Sequence, residues 1–489
     1  MRRSFLRGLA LTAGGSGAVA LVALVRNVLI ARVMGPSAFG FWQACLVVLR
    51  LAGESHLGAL HAVAMDAPVH RGAGREAEAR DLERRGLAVA LLLSLAVGVV
   101  AGAVLRLRSG PGLLPLAVLL AATVVAHQWF LADALLLRTR RQFGRQALLL
   151  CLFAAVHLVG LLLLLPGRLV SGALLAWILG IAASLLLVRA FTKDPLPLPS
   201  APVRADLLAL VRRGLPAYLV GLTFVVLLQV DRVVIGSFLG REALGYFGIL
   251  TVGGSVVLFL PDAVAGVLWP FAGEHYGRHG EEAASLRPVA VATLRGLALL
   301  LGAVLALALL GTEILVGTDL VDRRLRVFAP ALDALRWYLP GVFFLSLAHP
   351  LRFLLITAGA EHAVLRLQVG VLALTAVAEI IAALSDGTLR GVAMAGTACG
   401  AAFFLLVLRQ AAATLALGRT AWLLAAEAAA VLGAAFLVVA AVHRYGPDPG
   451  TMAGALGRLA VPAALALLVG IAVLRSRPPS PAAGPDGEA

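Results

Sequence analysis

The chain has 489 residues, of which 61% are hydrophobic and only 14% are charged, and its mean hydropathy is +0.96. This composition excludes a soluble domain of this length and indicates an integral membrane protein. The net charge of +15 does not indicate nucleic-acid binding, because the arginines are scattered in short gaps between apolar runs and form no basic face.

Apolar segments long enough to cross a bilayer, which needs about 20 residues, follow one another along the whole chain. The first of them is too long for a secretory signal and precedes no cleavage site, so we expect it to be retained. Fourteen spans are predicted, near 9–33, 39–65, 86–105, 113–136, 146–165, 169–188, 214–239, 244–272, 289–312, 334–357, 367–384, 391–408, 420–442 and 453–474.

The distribution of arginines predicts the orientation of these spans. Loops and tails on the same side as Met1 hold most of the basic residues, which places both termini in the cytoplasm. Lys193 is the only lysine, and this near-total replacement by arginine is typical of a GC-rich bacterial genome. We therefore expect a multi-pass protein of the bacterial inner (cytoplasmic) membrane.

An internal repeat predicts the architecture. The loop 35–42, Gly-Pro-Ser-Ala-Phe-Gly-Phe-Trp, returns at 240–247 as Gly-Arg-Glu-Ala-Leu-Gly-Tyr-Phe. The copies start six spans apart, so both units enter the membrane in the same sense and a pseudo-twofold axis should run along the membrane normal. The predicted fold is all-α, with two six-helix bundles and two additional C-terminal helices.

The domain boundaries follow from this count and from one proline-rich segment, 194–202, which predicts a stiff linker. The last residues are rich in Pro, Ser, Ala and Gly, which predicts disorder. The predicted parts are an N-terminal lobe (1–190), a cytoplasmic linker and surface helix (191–213), a C-terminal lobe (214–413), helices 13 and 14 (414–475) and a cytoplasmic tail (476–489).

The second span carries the most informative polar residues, Gln43, Arg50, Glu54 and His61. On a straight helix with 100° per residue they fall within an arc of about 40°. A central arginine costs roughly 2.5–3.5 kcal/mol in a bilayer, so it needs a partner or water. Two interpretations stay open: an Arg50–Glu54 pair that only packs helices, or a hydrated cavity lined by the whole stripe.

Other spans contribute further candidates. Arg26, Arg232 and Arg352 are deep cations, and together with Arg50 they favour an anionic cargo, because guanidinium groups bind phosphate in a bidentate manner. We count Glu54, His61 and Glu379 as further cavity residues, the last on a stripe with Gln368 and Thr375. Carboxylates that could carry a coupling proton are Glu54, Asp133 and Asp231.

The sequence gives little support for metal binding or catalysis. The cysteines Cys45, Cys151 and Cys399 lie within apolar spans without ligand spacing, so no metal site is predicted. The chain contains none of the phosphate-loop, zinc-protease or serine-hydrolase motifs. We therefore predict neither an enzyme nor a bound cofactor.

The segment Ala31-Arg32-x-x-Gly35-Pro36-x-x-Phe39-Gly40, then Leu57-Gly58 and Gly72-x-Gly74, resembles the oligosaccharide (O-antigen type) flippases of the multidrug/oligosaccharidyl-lipid/polysaccharide exporter superfamily. The second copy fits as well, through Gly214-Leu-Pro216, Asp231-Arg232 and Gly240-x-x-Ala243-x-Gly245-Tyr246.

This resemblance implies two six-helix bundles facing each other in a V, as in MATE-like proteins. It also implies export of an undecaprenyl-pyrophosphate-linked oligosaccharide for cell-surface polysaccharide synthesis. The expected partners are this lipid-linked substrate, membrane lipids, a coupling ion (proton or sodium) and the glycan polymerase or export machinery. The prenyl tail would stay in the lipid while a polar cavity takes the pyrophosphate and the sugars.

Four alternatives remain. A peptidoglycan-precursor flippase would share the same phosphate chemistry, whereas a multidrug or cation antiporter would need acids to dominate the cavity. A membrane glycan ligase or polymerase usually needs larger outer loops than those seen here, of which only 313–333 is long. The last alternative is a scaffold that transports nothing.

Overall fold

The computed structural model of the protein describes most of the chain, and all secondary structure in the described residues is helical. The confirmed class is therefore an all-α membrane protein. The predicted tail, 476–489, and residues 191–195 and 201–203 of the predicted linker lie outside the described residues. These residues are 2–72, 74–109, 114–140, 142–190, 196–200, 204–278, 282–318 and 323–475.

The described residues form fourteen α-helices and three short helical segments of other types. The latter are the π-helical Ile235–Leu239 and the 3₁₀ segments Ala283–Leu286 and Arg323–Ala331. The α-helices are α1 (Arg2–Ala52), α2 (Ala59–Gly72), α3 (Glu76–Ser109), α4 (Leu114–Thr139), α5 (Phe143–Ala190), α6 (Arg204–Leu227), α7 (Val230–Val234), α8 (Gly240–Arg278), α9 (Arg287–Gly317), α10 (Leu332–Thr357), α11 (Glu361–Ser385), α12 (Leu389–Thr414), α13 (Thr420–Tyr445) and α14 (Met452–Arg475).

Among the described residues, eleven helical segments are long and apolar enough to cross a membrane, or twelve when the bent α6 is counted as one span. The number is below fourteen because two long helices each contain the better part of two predicted spans. α1 bends at Gly35, where φ is 68°, and α5 bends at Leu169, where φ is 44°. These spans are joined by a backbone kink where the sequence suggested a loop.

The second predicted span, 39–65, is not one continuous helix. α1 ends at Ala52 and α2 begins at Ala59, with Leu57 and Gly58 at φ values of 45° and 95°. The amide of Glu54 donates to the carbonyl of Leu51, an i to i−3 bond in place of the α-helical i to i−4 bond. The predicted 40° arc assumed a straight helix, so this part of the prediction is wrong.

The two copies of the repeated loop have the same backbone break and pack against each other. Gly35 has φ 68° and ψ 175°, and Gly240 has φ 90° and ψ −179°, a region that favours glycine. A Cβ on Gly40 would lie 1.8 Å from the carbonyl oxygen of Arg241. In the reciprocal position, a Cβ on Gly245 would lie 1.9 Å from the carbonyl oxygen of Pro36.

The chain divides into two compact units, Met1–Gly245 and Tyr246–Ala489. In the first unit, α3 packs on α4, α5 packs on α1 and α4, and α2 packs on α3 and α6. In the second unit, α12 packs on α10 and α11, while α13 and α14 both pack on α9. This division describes helix packing, and the domain boundaries given above stay predictions.

We predict that Gly40→Ala destabilises the protein, because the new methyl group would clash with a backbone carbonyl, which cannot move aside as a side chain can. The expected loss is about 1–3 kcal/mol, measured as a lower midpoint of thermal unfolding in detergent. The matched control is Gly433→Ala on α13, where a Cβ meets nothing within 4 Å. Equal midpoints for the two variants would contradict the close packing of the repeated loops.

Candidate functional site

The first unit brings arginine, tryptophan and histidine side chains together, and we call them the arginine–tryptophan cluster (Arg26, Arg50, His127, His157 and Trp177). The guanidinium of Arg26 lies 5.3 Å from the ring centroid of Trp177, a cation–π distance. The ring centroids of His127 and His157 lie 5.6 and 4.9 Å from that of Trp177. Helices α1, α4 and α5 each supply part of this cluster.

Arg50 is the exposed member of the cluster. Its side chain is open to the surroundings although it lies in the last turn of α1, beside the break at 53–58. The charge of Arg50 is close enough to interact with those of Arg26 and His127. The Nε of Arg26 is buried and has no hydrogen-bond partner among the described residues. Two guanidinium groups whose like charges interact form a setting that an anion would stabilise.

A second group of polar side chains, the break cluster (Glu54, His56, His61 and Tyr218), surrounds the interruption between α1 and α2. The Nε2 of His56 lies 3.8 Å from Oε2 of Glu54. The ring centroid of His56 lies 5.2 Å from that of His61 and 5.5 Å from that of Tyr218. Four groups able to exchange a proton therefore lie together at one helix break.

The tautomer of His56 follows from a backbone contact. The amide of Gly58 donates to Nδ1 of His56 over 3.1 Å. A neutral His56 therefore carries its proton on Nε2, the nitrogen nearer to Glu54. Sequence analysis missed His56 because a straight helix would turn it away from Glu54 and His61. The signal that could have found it is the pair Gly53 and Gly58, which bracket the break.

Glycine contacts hold the break cluster in place. A Cβ on Gly214 of α6 would lie 1.9 Å from the carbonyl oxygen of Gly58. Such backbone contact brings Tyr218, one turn further along α6, against the two imidazoles. The same pair of helices is joined by a bidentate bond from Arg213 to Asp66, with distances of 3.0 and 3.2 Å.

The remaining candidates of the first unit make local contacts. The carboxylate of Asp231 accepts a 2.9 Å bond from the amide of Arg232, within the short helix α7. Nη1 of Arg232 donates to Oε1 of Gln229 over 2.5 Å, at the interruption between α6 and α7. Both side chains are half-buried. These contacts stabilise a second helix break.

Asp133 is fully buried and bound by an arginine. Nη2 and Nε of Arg189 donate to its two carboxylate oxygens over 2.9 and 3.0 Å. The same guanidinium lies 5.5 Å from the ring centroid of Trp129, and it donates to the carbonyl of Leu196. This bonding joins α4 to the end of α5 and favours a structural role for Asp133 over proton transfer.

In the second unit, Arg352 belongs to a chain of polar side chains that links α10 to α8. Nη2 of Arg352 lies 3.3 Å from Nδ1 of His349, and Nε2 of His349 lies 3.2 Å from Oδ1 of Asp262. Arg352 is 4% exposed, whereas the side chain of Asp262 is 71% exposed. This series of contacts therefore leads from a buried cation to an accessible carboxylate.

Glu379 lies on the predicted stripe of α11, and the prediction that Gln368, Thr375 and Glu379 share one face is confirmed. All three are buried. Gly396 of α12 leaves room for the carboxylate, since a Cβ there would lie 2.9 Å from Oε1 of Glu379. Within the described residues no group of three His, Cys, Asp or Glu side chains could hold a metal ion.

A scan against known protein families and a search among curated proteins give no match. Solved structures do match. An inward-facing multidrug resistance MATE family transporter of the MOP superfamily aligns with 83% of this chain and 99% of its own, at TM-score 0.61 and 16% identity. The chain has the MATE transporter fold. An outward-facing structure of such a transporter gives TM-score 0.57 at 18% identity, over 83% and 96% of the two chains.

The MATE likeness extends across most of the chain, and identities of 16–18% transfer the fold alone. Function therefore has to be argued from the side chains. Within the first unit, the structure brings Arg26 and Arg50 together, and it separately groups Glu54 with His61. Arg232 and Asp231 lie at the other break. Arg352 and Glu379 belong to the second unit.

We predict that Asp133→Asn lowers stability by about 3 kcal/mol, because it leaves the charge of Arg189 without its partner in a low-dielectric setting. The double variant Asp133→Asn/Arg189→Gln should recover part of the loss. The measurement is the midpoint of thermal unfolding in detergent. Asp81→Asn is the control, since its pair with Arg85 is exposed and should contribute less than about 1 kcal/mol. An unchanged midpoint for Asp133→Asn would contradict the structural role.

Proposed function

We propose that this protein is a flippase that moves an undecaprenyl-pyrophosphate-linked oligosaccharide across the bacterial inner membrane by alternating access. The observation that carries this proposal is the pairing of Arg26 with the exposed Arg50 beside a broken helix. A cation deep in an apolar span is costly unless it meets water or a counter-ion. An anionic cargo would offset the repulsion between these two like charges.

The chemistry of guanidinium groups supports a pyrophosphate as the bound anion. Each group offers five N–H donors in a planar fork that matches two phosphate oxygens. Two arginines whose charges interact could bind the two phosphates of a pyrophosphate, and binding would relieve the repulsion between the cations. We assign Arg50 as the main ligand, with Arg26 positioned by Trp177.

The break cluster supports proton coupling. Glu54, His56 and His61 could pass one proton between carboxylate and imidazole groups. Because these groups lie at the end of the helix segment that carries Arg50, a change in their charge would act on the phosphate ligands at short range. Among the carboxylates considered, we therefore place coupling at Glu54 ahead of Asp231 and Asp133. Sodium stays the alternative ion.

A multidrug antiporter is the second candidate, because the solved structures that share this fold include multidrug transporters. The aromatic rings of Trp177 and Tyr218 could contact planar drugs. Against a cationic drug stands the repulsion from Arg26 and Arg50. A flippase for peptidoglycan-precursor lipids would use the same phosphate contacts, so it must be separated by the choice of cargo.

We predict that Arg50→Ala reduces transport of lipid-linked oligosaccharide into vesicles by about 10- to 100-fold, the value expected for a hydrogen-bonded ionic contact. The assay uses purified full-length protein and compares the initial rates at equal protein content. Arg366→Ala is the matched control, since Arg366 is an exposed arginine on α11. Unchanged export by Arg50→Ala would rule out this residue as a phosphate ligand.

The same vesicles distinguish the candidate cargoes. A lipid-linked oligosaccharide, a peptidoglycan-precursor lipid and a cationic dye are supplied one at a time. We expect the lipid-linked oligosaccharide to be transported faster than the peptidoglycan-precursor lipid and the cationic dye. Transport of the dye alone, with Arg50→Ala as active as the parent protein, would favour the multidrug antiporter. Joining of glycans by the purified protein would instead establish a ligase or polymerase.

A further inference from the structure

A cavity of about 430 Å³ lies at one end of the second unit, and we call it the end cavity. It is formed where helices α9, α10, α13 and α14 end or begin on the same membrane face. Its volume falls in the range of small-molecule sites. Leu310, Ile314 and Leu332 form an apolar part of the cavity wall, and charged side chains line another part.

Glu313 is the inner charged group of the end cavity and is already neutralised by its neighbours. Its side chain is 14% exposed, with Oε1 accepting a 3.2 Å bond from Nη2 of Arg336. Its other oxygen, Oε2, lies 2.9 Å from Nε2 of His443. The carboxylate therefore holds the walls from α10 and α13 in place and does not repel an incoming anion with its full charge.

Two arginines of the end cavity keep hydrogen-bond donors beyond those used within the protein. Nη2 of Arg336 donates to Oε1 of Glu313. Nε of Arg458 donates to the carbonyl of Pro447 over 2.7 Å, and its Nη1 lies 3.5 Å from Nδ1 of His443. Since a guanidinium has five N–H donors, each arginine has several left for a ligand.

The local charge balance favours a ligand with one negative charge. Asp333 stands at the rim with its side chain 70% exposed, and its Oδ2 lies 4.0 Å from Nη1 of Arg390. With this partner included, three arginines face two carboxylates, Glu313 and Asp333. One positive charge is left unbalanced, which matches the single negative charge of a phosphodiester.

The position of the end cavity along its helices matches the depth expected of lipid headgroups. Glu313, Arg336 and Arg458 are each within six residues, roughly 9 Å, of the end of their helix. The polar layer of a bilayer is about 5–7 Å thick on each side of the hydrocarbon core. Leu310 and Ile314 continue the wall of the cavity toward the middle of α9, where acyl chains would lie.

We propose that the end cavity binds the phosphodiester headgroup of an anionic membrane phospholipid. Arg336 and Arg458 hold the phosphate oxygens, and the acyl chains leave along the apolar wall of α9 and the exposed Leu456 of α14. Charge, depth and the apolar wall all agree with this occupant. The site is separate from the arginine–tryptophan cluster and does not depend on the function proposed above.

The test uses full-length protein in nanodiscs of phosphatidylcholine that contain increasing amounts of phosphatidylglycerol, with bound lipid counted by native mass spectrometry. Arg336→Gln/Arg458→Gln should weaken phosphatidylglycerol binding at least about tenfold, since two ionic contacts are lost. The matched control, Arg366→Gln/Arg419→Gln, removes the same charge from exposed positions outside the cavity and should stay within about twofold of the parent protein.

A second variant keeps the test decisive if loss of the arginines disturbs folding. Leu332→Trp, at the first position of α10, fills the cavity while both arginines stay, and it should also weaken binding about tenfold. Unchanged binding in either variant would overturn the proposal. Soluble glycerol phosphate should not displace the lipid at equal concentration, and displacement would show that the site takes a free phosphate instead.

Discussion

A charge within the hydrocarbon layer must find water or a partner, and this requirement governs the polar side chains of the protein. Each unmatched cation at mid-span costs roughly 2.5–3.5 kcal/mol on insertion scales. Asp133 and Arg189 meet the requirement by pairing with each other. Arg26 and Arg50 have like charges, and Arg50 is exposed. The first pair stabilises the fold, and we propose the second as the anion site.

Interrupted helices provide the places where such polar groups collect. The break between α1 and α2 carries Glu54 and His56, and the break between α6 and α7 carries Gln229 and Arg232. Backbone groups freed at a break are tolerated in a membrane only where protein or water satisfies them. The breaks thus combine a local hinge with a polar surface, which suits a transporter that changes conformation.

Much of the architecture could be predicted from the sequence, because long apolar runs and a repeated loop are local signals. The stripe of Gln368, Thr375 and Glu379 was correct because α11 is a regular helix, on which spacing alone fixes the face. The stripe of the second span failed because the helix stops at Ala52. Residue spacing does not predict a common helix face across such a break, so His56 was missed.

Contacts between distant residues were beyond sequence reasoning. Tyr218 joins the break cluster only because Gly58 and Gly214 let two backbones approach, and nothing in either local sequence specifies that contact. The partner of Asp133 was missed for the same reason, since Arg189 lies one helix away. Pairing in three dimensions therefore decides which charged residues are structural and which are available to a ligand.

The central claim is that water reaches Arg50 within the membrane. It is tested most directly by thiol labelling in a variant that lacks Cys45, Cys151 and Cys399. Arg50→Cys should react with a charged, membrane-impermeant reagent, whereas Val100→Cys on the apolar surface of α3, where Val100 is 62% exposed, should not. Failure of Arg50→Cys to react from either side of the membrane, under all transport conditions, would contradict the account.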